Sequence, residues 1–106
     1  MIDRVIILRE LKNDLKKQFR DSVKNVILFG SQAKDTDNES SDFDILILLD
    51  KDYSGSDENK ILDICYDIDL KYNIIIDVHL LSLSELTTIR GKQPIFINAL
   101  NSGIYA

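Results

Sequence analysis

An apolar run opened by two aspartates constrains the fold of this chain more than any other stretch. The run reads DFDILILL at residues 42–49, and Asp44 is the only charged residue between Phe43 and Leu49. A segment that is apolar on both faces predicts a strand in the centre of a sheet. Because side chains alternate along a strand, Asp42 and Asp44 are expected on one side of the sheet and Phe43 on the other.

Two neighbouring carboxylates at the start of an apolar strand need a compensating charge. Like charges roughly 4 Å apart repel by about 4 kcal/mol at an effective dielectric constant of about 20. Either one carboxyl group is protonated, or a cation lies between the two. Mg²⁺ suits the second case, because it takes carboxylate oxygens and shares its coordination shell with substrate phosphates. Asp42 and Asp44 therefore predict a metal site.

A third aspartate interrupts another apolar stretch, IIIDVHLL at residues 74–81, which is rich in β-branched residues and predicts a strand. If this strand lies beside the one at 43–49, Asp77 joins Asp42 and Asp44 around one or two metal ions. The alternative is that these aspartates lie at strand ends or on an edge strand and face water. That alternative fits Asp42 best, since Asp42 begins its strand, and fits the others less well because aspartate is seldom buried without a partner.

His79 follows Asp77 by two residues and is expected on the same face of that strand. A lone histidine is more typical of a structural residue than of a catalytic one. A functional role for His79 is kept as the less favoured interpretation.

A glycine-serine pair follows the apolar run NVILF at residues 25–29, which predicts a buried strand ending in a turn. Backbone N–H groups at the start of a helix favour anions, and glycine lets a phosphate approach the backbone closely. Gly30 and Ser31 are typical of many turns, but here ten residues separate Ser31 from Asp42. Together they predict a triphosphate site beside a metal site, with Lys34 either as a further phosphate contact or as a solvated surface lysine.

The remaining segments predict helices. Residues 2–20 carry apolar side chains at three- and four-residue steps, which indicates an amphipathic helix. Ser56 is predicted to cap a second helix, and the last quarter is predicted to form two more, one from Ser84 to Gly91 and one from Pro94 to Gly103. The apolar residues that we assign to the faces of the first two helices are Ile2, Val5, Ile6, Leu8, Leu11, Leu15 and Phe19, then Ile61, Leu62, Cys65, Ile68 and Tyr72.

These elements predict a mixed α/β (α+β) fold, a small sheet of about three strands packed with helices, in one domain over residues 1–106. The net charge of −5 and the pI near 4.7 argue against a broad grip on nucleic acid, which needs a basic surface. No apolar run reaches the roughly 18 residues of a membrane-spanning helix. The single cysteine, Cys65, excludes an internal disulfide, so we expect a cytoplasmic protein with no membrane contact.

The pair Gly30-Ser31, the DFD segment at 42–44 and Asp77 together resemble the nucleotidyltransferase superfamily related to DNA polymerase β. The small size and the end PIFINALNSGIYA resemble its shortest branch, the minimal nucleotidyltransferase (MNT) domains. The resemblance spans nearly the whole chain and implies a nucleotidyltransferase core of the polymerase β type.

The resemblance also implies an activity: transfer of AMP from ATP to a hydroxyl group with the help of two Mg²⁺ ions. Asp42, Asp44 and Asp77 would bind metal, and Asp77 would also help to deprotonate the acceptor. Gly30 and Ser31 would hold the triphosphate.

Many MNT domains are antitoxins encoded beside a HEPN-type ribonuclease toxin, so the resemblance implies a hetero-oligomer in which the antitoxin adds AMP to a tyrosine of its partner. Two alternatives stay open. One is transfer to a small molecule such as an aminoglycoside, and the other is a catalytically weak antitoxin that neutralises its partner by binding.

Two positions depart from the family pattern, which often has Arg two places and Gly five places after the glycine. Here those positions are Gln32 and Asp35. The change at 32 removes one phosphate contact, although Lys34 keeps a cation in the same turn. The change at 35 alters the turn and adds negative charge, so both departures predict weaker catalysis with an unchanged fold.

Overall fold

The computed structural model of the chain describes residues 3–30, 42–88 and 92–106. The predictions for Ile2, Ser31, Gln32, Lys34 and Asp35 lie outside these residues. The described helices and strands are α1 (Arg4–Phe19), β1 (Val23–Phe29), β2 (Phe43–Leu49), α2 (Gly55–Tyr72), β3 (Ile76–Ser82), α3 (Pro94–Ser102) and β4 (Ile104–Tyr105).

The strands form one mixed sheet in the order β3-β2-β1-β4. β1 pairs with β2 and with β4 in antiparallel fashion, whereas β2 pairs with β3 in parallel. The predicted fold class is confirmed, and β2 has the predicted bounds. The central position predicted for β2 is also confirmed, since its neighbours β1 and β3 lie on either side.

A fourth strand was not predicted, because β4 is only two residues long and so shows no alternation. Gly103 makes this strand possible by its close approach to β1. A Cβ atom at position 103 would overlap the Ile27 side chain and the carbonyl oxygens of Ala99 and Leu28. Glycine therefore lets the chain turn from α3 directly into the sheet.

β2 buries side chains on both faces of the sheet, as its apolar run predicts. Phe43, Ile45 and Ile47 pack on one face in a cluster with residues of α1 and α2. Leu46 and Leu48 pack on the other face in a cluster with residues of α3. The sheet thus lies between two helical layers, and Asp44 belongs to the face that carries Leu46 and Leu48.

Asp3 caps the start of α1, and its Oδ1 accepts hydrogen bonds from Val5 N at 3.0 Å and Ile6 N at 3.3 Å. The prediction that Val5 and Ile6 belong to the apolar face is wrong, because their exposed fractions are 49% and 52%. The buried face of α1 comprises Ile7, Leu8, Leu11, Leu15 and Phe19.

Ser54 caps the start of α2, so the prediction that Ser56 caps it is wrong. Ser54 Oγ accepts a hydrogen bond from Asp57 N, and Asp57 Oδ2 accepts one from Ser54 N, both at 3.1 Å. This reciprocal capping box needs an acidic residue three places after the serine, a spacing that Ser54 has and Ser56 lacks. Leu62, assigned to the buried face, is 45% exposed.

The predicted helix from Ser84 is also wrong among the residues described. Leu83–Glu85 form a short 3₁₀ turn instead, preceded by Ser82, whose N–H donates to Glu85 Oε1 at 3.0 Å. Gly91 lies outside the described residues. The helix predicted from Pro94 is confirmed, and Gly103 follows its last residue.

Cys65 lies in the core with an exposed fraction of 2%, as expected for a packing residue. Burial raises the pKa of its thiol to about 12, so the thiol stays protonated and unreactive. Among the described residues, no helix has the length and the apolar character needed to traverse a bilayer.

Candidate functional site

The site is built where β2 and β3 run side by side. Asp44 of β2 lies directly opposite Asp77 of β3 in the parallel register, as the second pair of the paired segment. Asp44 is partly buried and Asp77 is exposed. Because residues opposite one another in a sheet point to the same face, the two carboxylates share one side of the sheet, as the sequence led us to expect.

The environment of Asp44 disfavours its charged form. Burial raises the pKa of the Asp44 carboxyl group, and the negative charges of Asp77 and Asp42 raise it further, although the His79 ring opposes this in part. A carboxylate held beside another carboxylate in this way is stabilised by a proton or by a cation. The structure therefore provides the electrostatic conditions of a cation site.

His79 lies close to both carboxylates. Asp44, Asp77 and His79 each offer one ligand atom, and these three atoms lie within 4.8 Å of one another. His79 Nε2 is 3.4 Å from Asp77 Oδ2. The sequence carried a signal for this in the two-residue spacing from Asp77, but we favoured a structural role there, and the geometry places His79 at the site.

Aromatic rings hold the imidazole of His79. The Phe29 ring centroid lies 5.4 Å from the centroid of His79 at an interplanar angle of 56°, and that of Phe96 lies 6.4 Å away, edge to face. Phe29 comes from β1 and Phe96 from α3. Contacts from two separate elements therefore restrict where the His79 ring can turn.

Gly30 ends β1 beside the Asp44 carboxylate. It has a φ of +78°, a left-handed conformation that glycine adopts without strain. A Cβ atom at this position would overlap Asp44 Oδ2. The glycine is thus needed both for the turn and for the close approach to the carboxylate. Ser31 and Lys34, predicted to bind phosphate with it, lie outside the described residues.

Asp42 lies immediately before β2 and is exposed. It is close enough to affect the pKa of Asp44, but the group of three ligand atoms contains His79 rather than Asp42. In the described sheet β3 is an edge strand, and the Asp77 side chain is 55% exposed. The alternative reading of Asp77 as an edge residue is thus correct about its location, although Asp77 still faces Asp44.

These donors fit a divalent cation. Two carboxylates supply hard oxygen ligands, and burial together with the neighbouring Asp77 raises the pKa of Asp44, so a cation beside it would stabilise its charged form. A cleft of about 170 Å³ lies next to this cluster, lined by Glu58, Leu62, Val78, His79 and Leu80. The Asp77 side chain is itself 55% exposed, so the Asp77 side of the cluster is approachable from solvent.

The chain matches a known family over almost its full length. The sequence model of the nucleotidyltransferase domain family matches residues 8–105. Two proteins of Methanocaldococcus jannaschii, MJ0604 and MJ0141, bear the name protein adenylyltransferase and are each 39% identical to this chain. The first match covers 91% of this chain and 90% of the relative, and the second covers 66% and 71%.

Three solved structures share the fold at low sequence identity. A mutant of the toxin–antitoxin MntA-HpeT has a TM-score of 0.59 at 15% identity, with 89% of this chain and 68% of the other covered. A toxin–antitoxin with AMP-PNP has a TM-score of 0.58 at 18% identity, with 90% and 68% covered. A protein from Shewanella oneidensis has a TM-score of 0.57 at 14% identity, with 97% and 71% covered.

The structural neighbours agree with the mixed sheet and its helical layers, and the sequence matches identify the lineage. The resemblance seen in the glycine-serine pair and the three aspartates is thereby confirmed at the level of the family. The chain belongs to the nucleotidyltransferase domain family.

Proposed function

We propose that this protein is a Mg²⁺-dependent adenylyltransferase that moves AMP from ATP to a hydroxyl group of a partner protein, a tyrosine of a HEPN-type ribonuclease toxin, and so acts as its antitoxin. The observation that carries the proposal is the pairing of Asp44 with Asp77 across two parallel strands, beside the turn at Gly30. That geometry joins a cation site to a place where phosphate can approach the backbone.

The comparisons support a protein as the acceptor. The two Methanocaldococcus relatives bear the name protein adenylyltransferase, and one of them matches nearly the whole chain. Two of the structural neighbours are toxin–antitoxin structures, one of which contains AMP-PNP. These findings favour ATP as the nucleotide and a toxin as the partner.

Asp42, Asp44 and Asp77 are the residues that would hold the metal. When bound, Mg²⁺ ions would stabilise the charge on the attacking and leaving oxygens of an in-line transfer. Asp44, whose pKa is raised by burial and by the nearby Asp77, would bind through its carboxylate, and the ion would offset the cost of its charge. Asp42, exposed at the start of β2, would complete the oxygen donors on the solvent side.

Asp77 is the residue best placed to receive the acceptor. Its side chain is 55% exposed on the edge strand, so a hydroxyl group from another protein can reach it. In the transfer, the acceptor oxygen bonds to the α-phosphorus, its proton passes to the Asp77 carboxylate, and the bond to the β-phosphate breaks so that pyrophosphate leaves. Gly30, Ser31 and Lys34 would hold the triphosphate during this step.

An exposed apolar face of α2 supports a protein partner rather than a small acceptor. Leu62, Tyr66 and Leu70 follow one another at four-residue steps and are 45%, 60% and 66% exposed. Such contiguous apolar surface is typical of an interaction site. The acidic residues Asp63 and Asp67 lie beside it and are exposed, so we assign this face to a toxin surface that carries complementary basic residues.

Labelled ATP tests the proposal. The chain, a HEPN-type partner, Mg²⁺ and ATP labelled at the α-phosphate should give a labelled partner, and Asp44→Asn should lower the labelling at least about 100-fold. Asp21→Asn makes the same chemical change at an exposed residue before β1, at the end of that strand remote from Gly30, and serves as the matched control for catalysis. If the native protein leaves the partner unlabelled, the proposed adenylyltransferase activity is wrong.

A second candidate is an antitoxin that acts by binding alone, which the exposed apolar face of α2 favours. Calorimetry separates the two functions. Tight binding of the toxin without any binding of MgATP indicates the binding antitoxin, whereas binding of both indicates the enzyme.

A further inference from the structure

We propose that His79 is a positioning residue of this site, whose Nε2–H donates a hydrogen bond to the Asp77 carboxylate and fixes its orientation toward a divalent ion. The inference rests on the metal-binding role proposed above for Asp77. It assigns a task to a side chain that the resemblance to the family did not include.

The first observation is an unsatisfied buried atom. His79 Nε2 is buried and has no hydrogen-bond partner among the residues described. A buried polar atom without a partner costs free energy, and native structures rarely keep one without a reason. Asp77 Oδ2, at 3.4 Å, is a carboxylate oxygen within reach of this nitrogen.

The second observation is that the two groups differ in freedom. The His79 ring is held between Phe29 and Phe96, whereas the Asp77 side chain is 55% exposed. A small rotation of Asp77 would shorten 3.4 Å to the usual length of such a bond, about 2.9 Å. The restrained His79 ring therefore sets the direction of the hydrogen bond, and the more exposed Asp77 carboxylate rotates to accept it.

The third observation is that Asp77 needs a restraint. Asp44 lies directly opposite, and the repulsion between the two carboxylates drives the more exposed one away from the site. The ligand atoms of His79, Asp77 and Asp44 lie within 4.8 Å of one another, so a donor on His79 holds the Asp77 carboxylate at the site before any ion arrives. Carboxylates that bind metals are commonly held by such outer partners, and loss of the partner costs about 10- to 100-fold in metal affinity.

The competing arrangement is direct coordination of the ion by His79 Nε2. The burial of this atom disfavours it, because an ion would have to enter a space that solvent does not reach. The two arrangements require different tautomers. A hydrogen bond to Asp77 requires the proton on Nε2, whereas coordination through Nε2 requires the proton on Nδ1.

The chain contains one histidine, so imidazole signals from a tag-free protein report His79 alone. Nitrogen-15 NMR of the imidazole should give the Nε2–H tautomer both without a divalent ion and with Mg²⁺. An Nδ1–H tautomer, or a nitrogen coupling to bound Mn²⁺ in pulsed electron paramagnetic resonance, would overturn the proposal.

Two variants complete the test, with Mn²⁺ as the probe and no nucleotide or partner present. His79→Leu keeps an apolar side chain of similar bulk without a donor and should weaken Mn²⁺ binding about 10- to 100-fold. His79→Gln keeps a donor near the position of Nε2 and should restore most of the affinity. Thermal unfolding without metal verifies that both variants fold.

Equal Mn²⁺ affinity in the native protein and His79→Leu would contradict the proposal, as would a native protein that binds no Mn²⁺. Because the readout is metal affinity, the result is independent of AMP transfer. A Mn²⁺ effect in a protein that labels no partner would leave the positioning role intact and remove only the proposed function.

Discussion

Gly30 lies against the carboxylate of Asp44, so closely that a side chain at position 30 would occupy the space of Asp44 Oδ2. The turn at Gly30, which follows β1, is thus in close contact with the Asp44 carboxylate of β2. This contact joins the predicted phosphate end of the site to its predicted metal end.

Gly30→Ala should therefore damage both stability and activity. The φ of +78° is strained for alanine by about 1–2 kcal/mol, and the new methyl group displaces the Asp44 carboxylate. Urea unfolding measures the first effect and labelling of the partner measures the second. Gly55→Ala is the matched control, since a Cβ at position 55 meets nothing within 4 Å. Similar losses in both variants would contradict the role of the close approach.

The stability of the metal-free protein should depend on pH through Asp44. Its pKa is raised by burial and by Asp77, so folding favours the protonated carboxyl group. The contribution of Asp44 to stability is then fully present below the unfolded pKa of about 3.9 and is lost as pH rises through the folded value. Urea unfolding in EDTA at a series of pH values measures this loss.

Asp44→Asn should remove that part of the pH dependence, because the amide cannot ionise. Added Mg²⁺ should restore stability at neutral pH in the native protein and not in the variant, since the ion replaces the proton. Asp67→Asn provides the comparison for a change of charge on an exposed helix. If stability depends on pH in the same way in Asp44→Asn and in the native protein, ionisation of Asp44 is not the cause of that dependence.

The capping box of α2 makes a prediction about stability alone. Ser54→Ala removes the oxygen that accepts from Asp57 N and should cost about 1 kcal/mol of the free energy of unfolding. Ser56→Ala, two residues on in the same serine-rich segment, should change stability by less than about 0.5 kcal/mol. Urea unfolding of the pair measures the difference, and a larger loss at Ser56 would return the cap to that residue.

Leu70→Asp should weaken binding of the toxin. Leu70 is 66% exposed on the apolar face of α2, so a charge there costs little stability in the free protein and is desolvated when the partner binds. Calorimetry should give an affinity at least about 10-fold lower. Ile6→Asp makes the same change on α1, where the residue is 52% exposed, and should bind normally. Unchanged binding by Leu70→Asp would move the interface elsewhere.

Strong local patterns made β2 and α3 predictable. β2 has a run of apolar residues with one charge, which leaves a central strand as the simplest assignment, and α3 is bounded by Pro94 and Gly103. The start of α2 was missed because two serines precede an acidic pair, and only the three-residue spacing from Ser54 to Asp57 selects the cap. β4 was missed because two residues carry no periodicity.

In the cluster of Asp44, Asp77 and His79, the sequence predicted the two carboxylates but did not favour the histidine. Asp44 and Asp77 each interrupt an apolar strand, and that local contrast marks them in the sequence. The two-residue spacing places His79 on the same face as Asp77, but its proximity to Asp44 depends on the parallel register of β2 and β3 and its orientation on the rings of Phe29 and Phe96, which come from distant parts of the chain. No single segment contains that information, so it emerges only once the sheet is assembled.

Because β2 is buried on both faces, its register with β3 also fixes the position of Asp44. A slip of one residue between β2 and β3 would turn Asp44 toward the α1 and α2 layer and expose Ile45 in its place. The apolar side chains on the opposite face of β2 therefore set the distance between Asp44 and Asp77, because they fix the register of the strand. A substitution in that layer, such as Ile47→Ala, would shift the carboxylates and lower the proposed activity without changing any polar atom. A substitution of the polar atoms themselves would leave the fold intact.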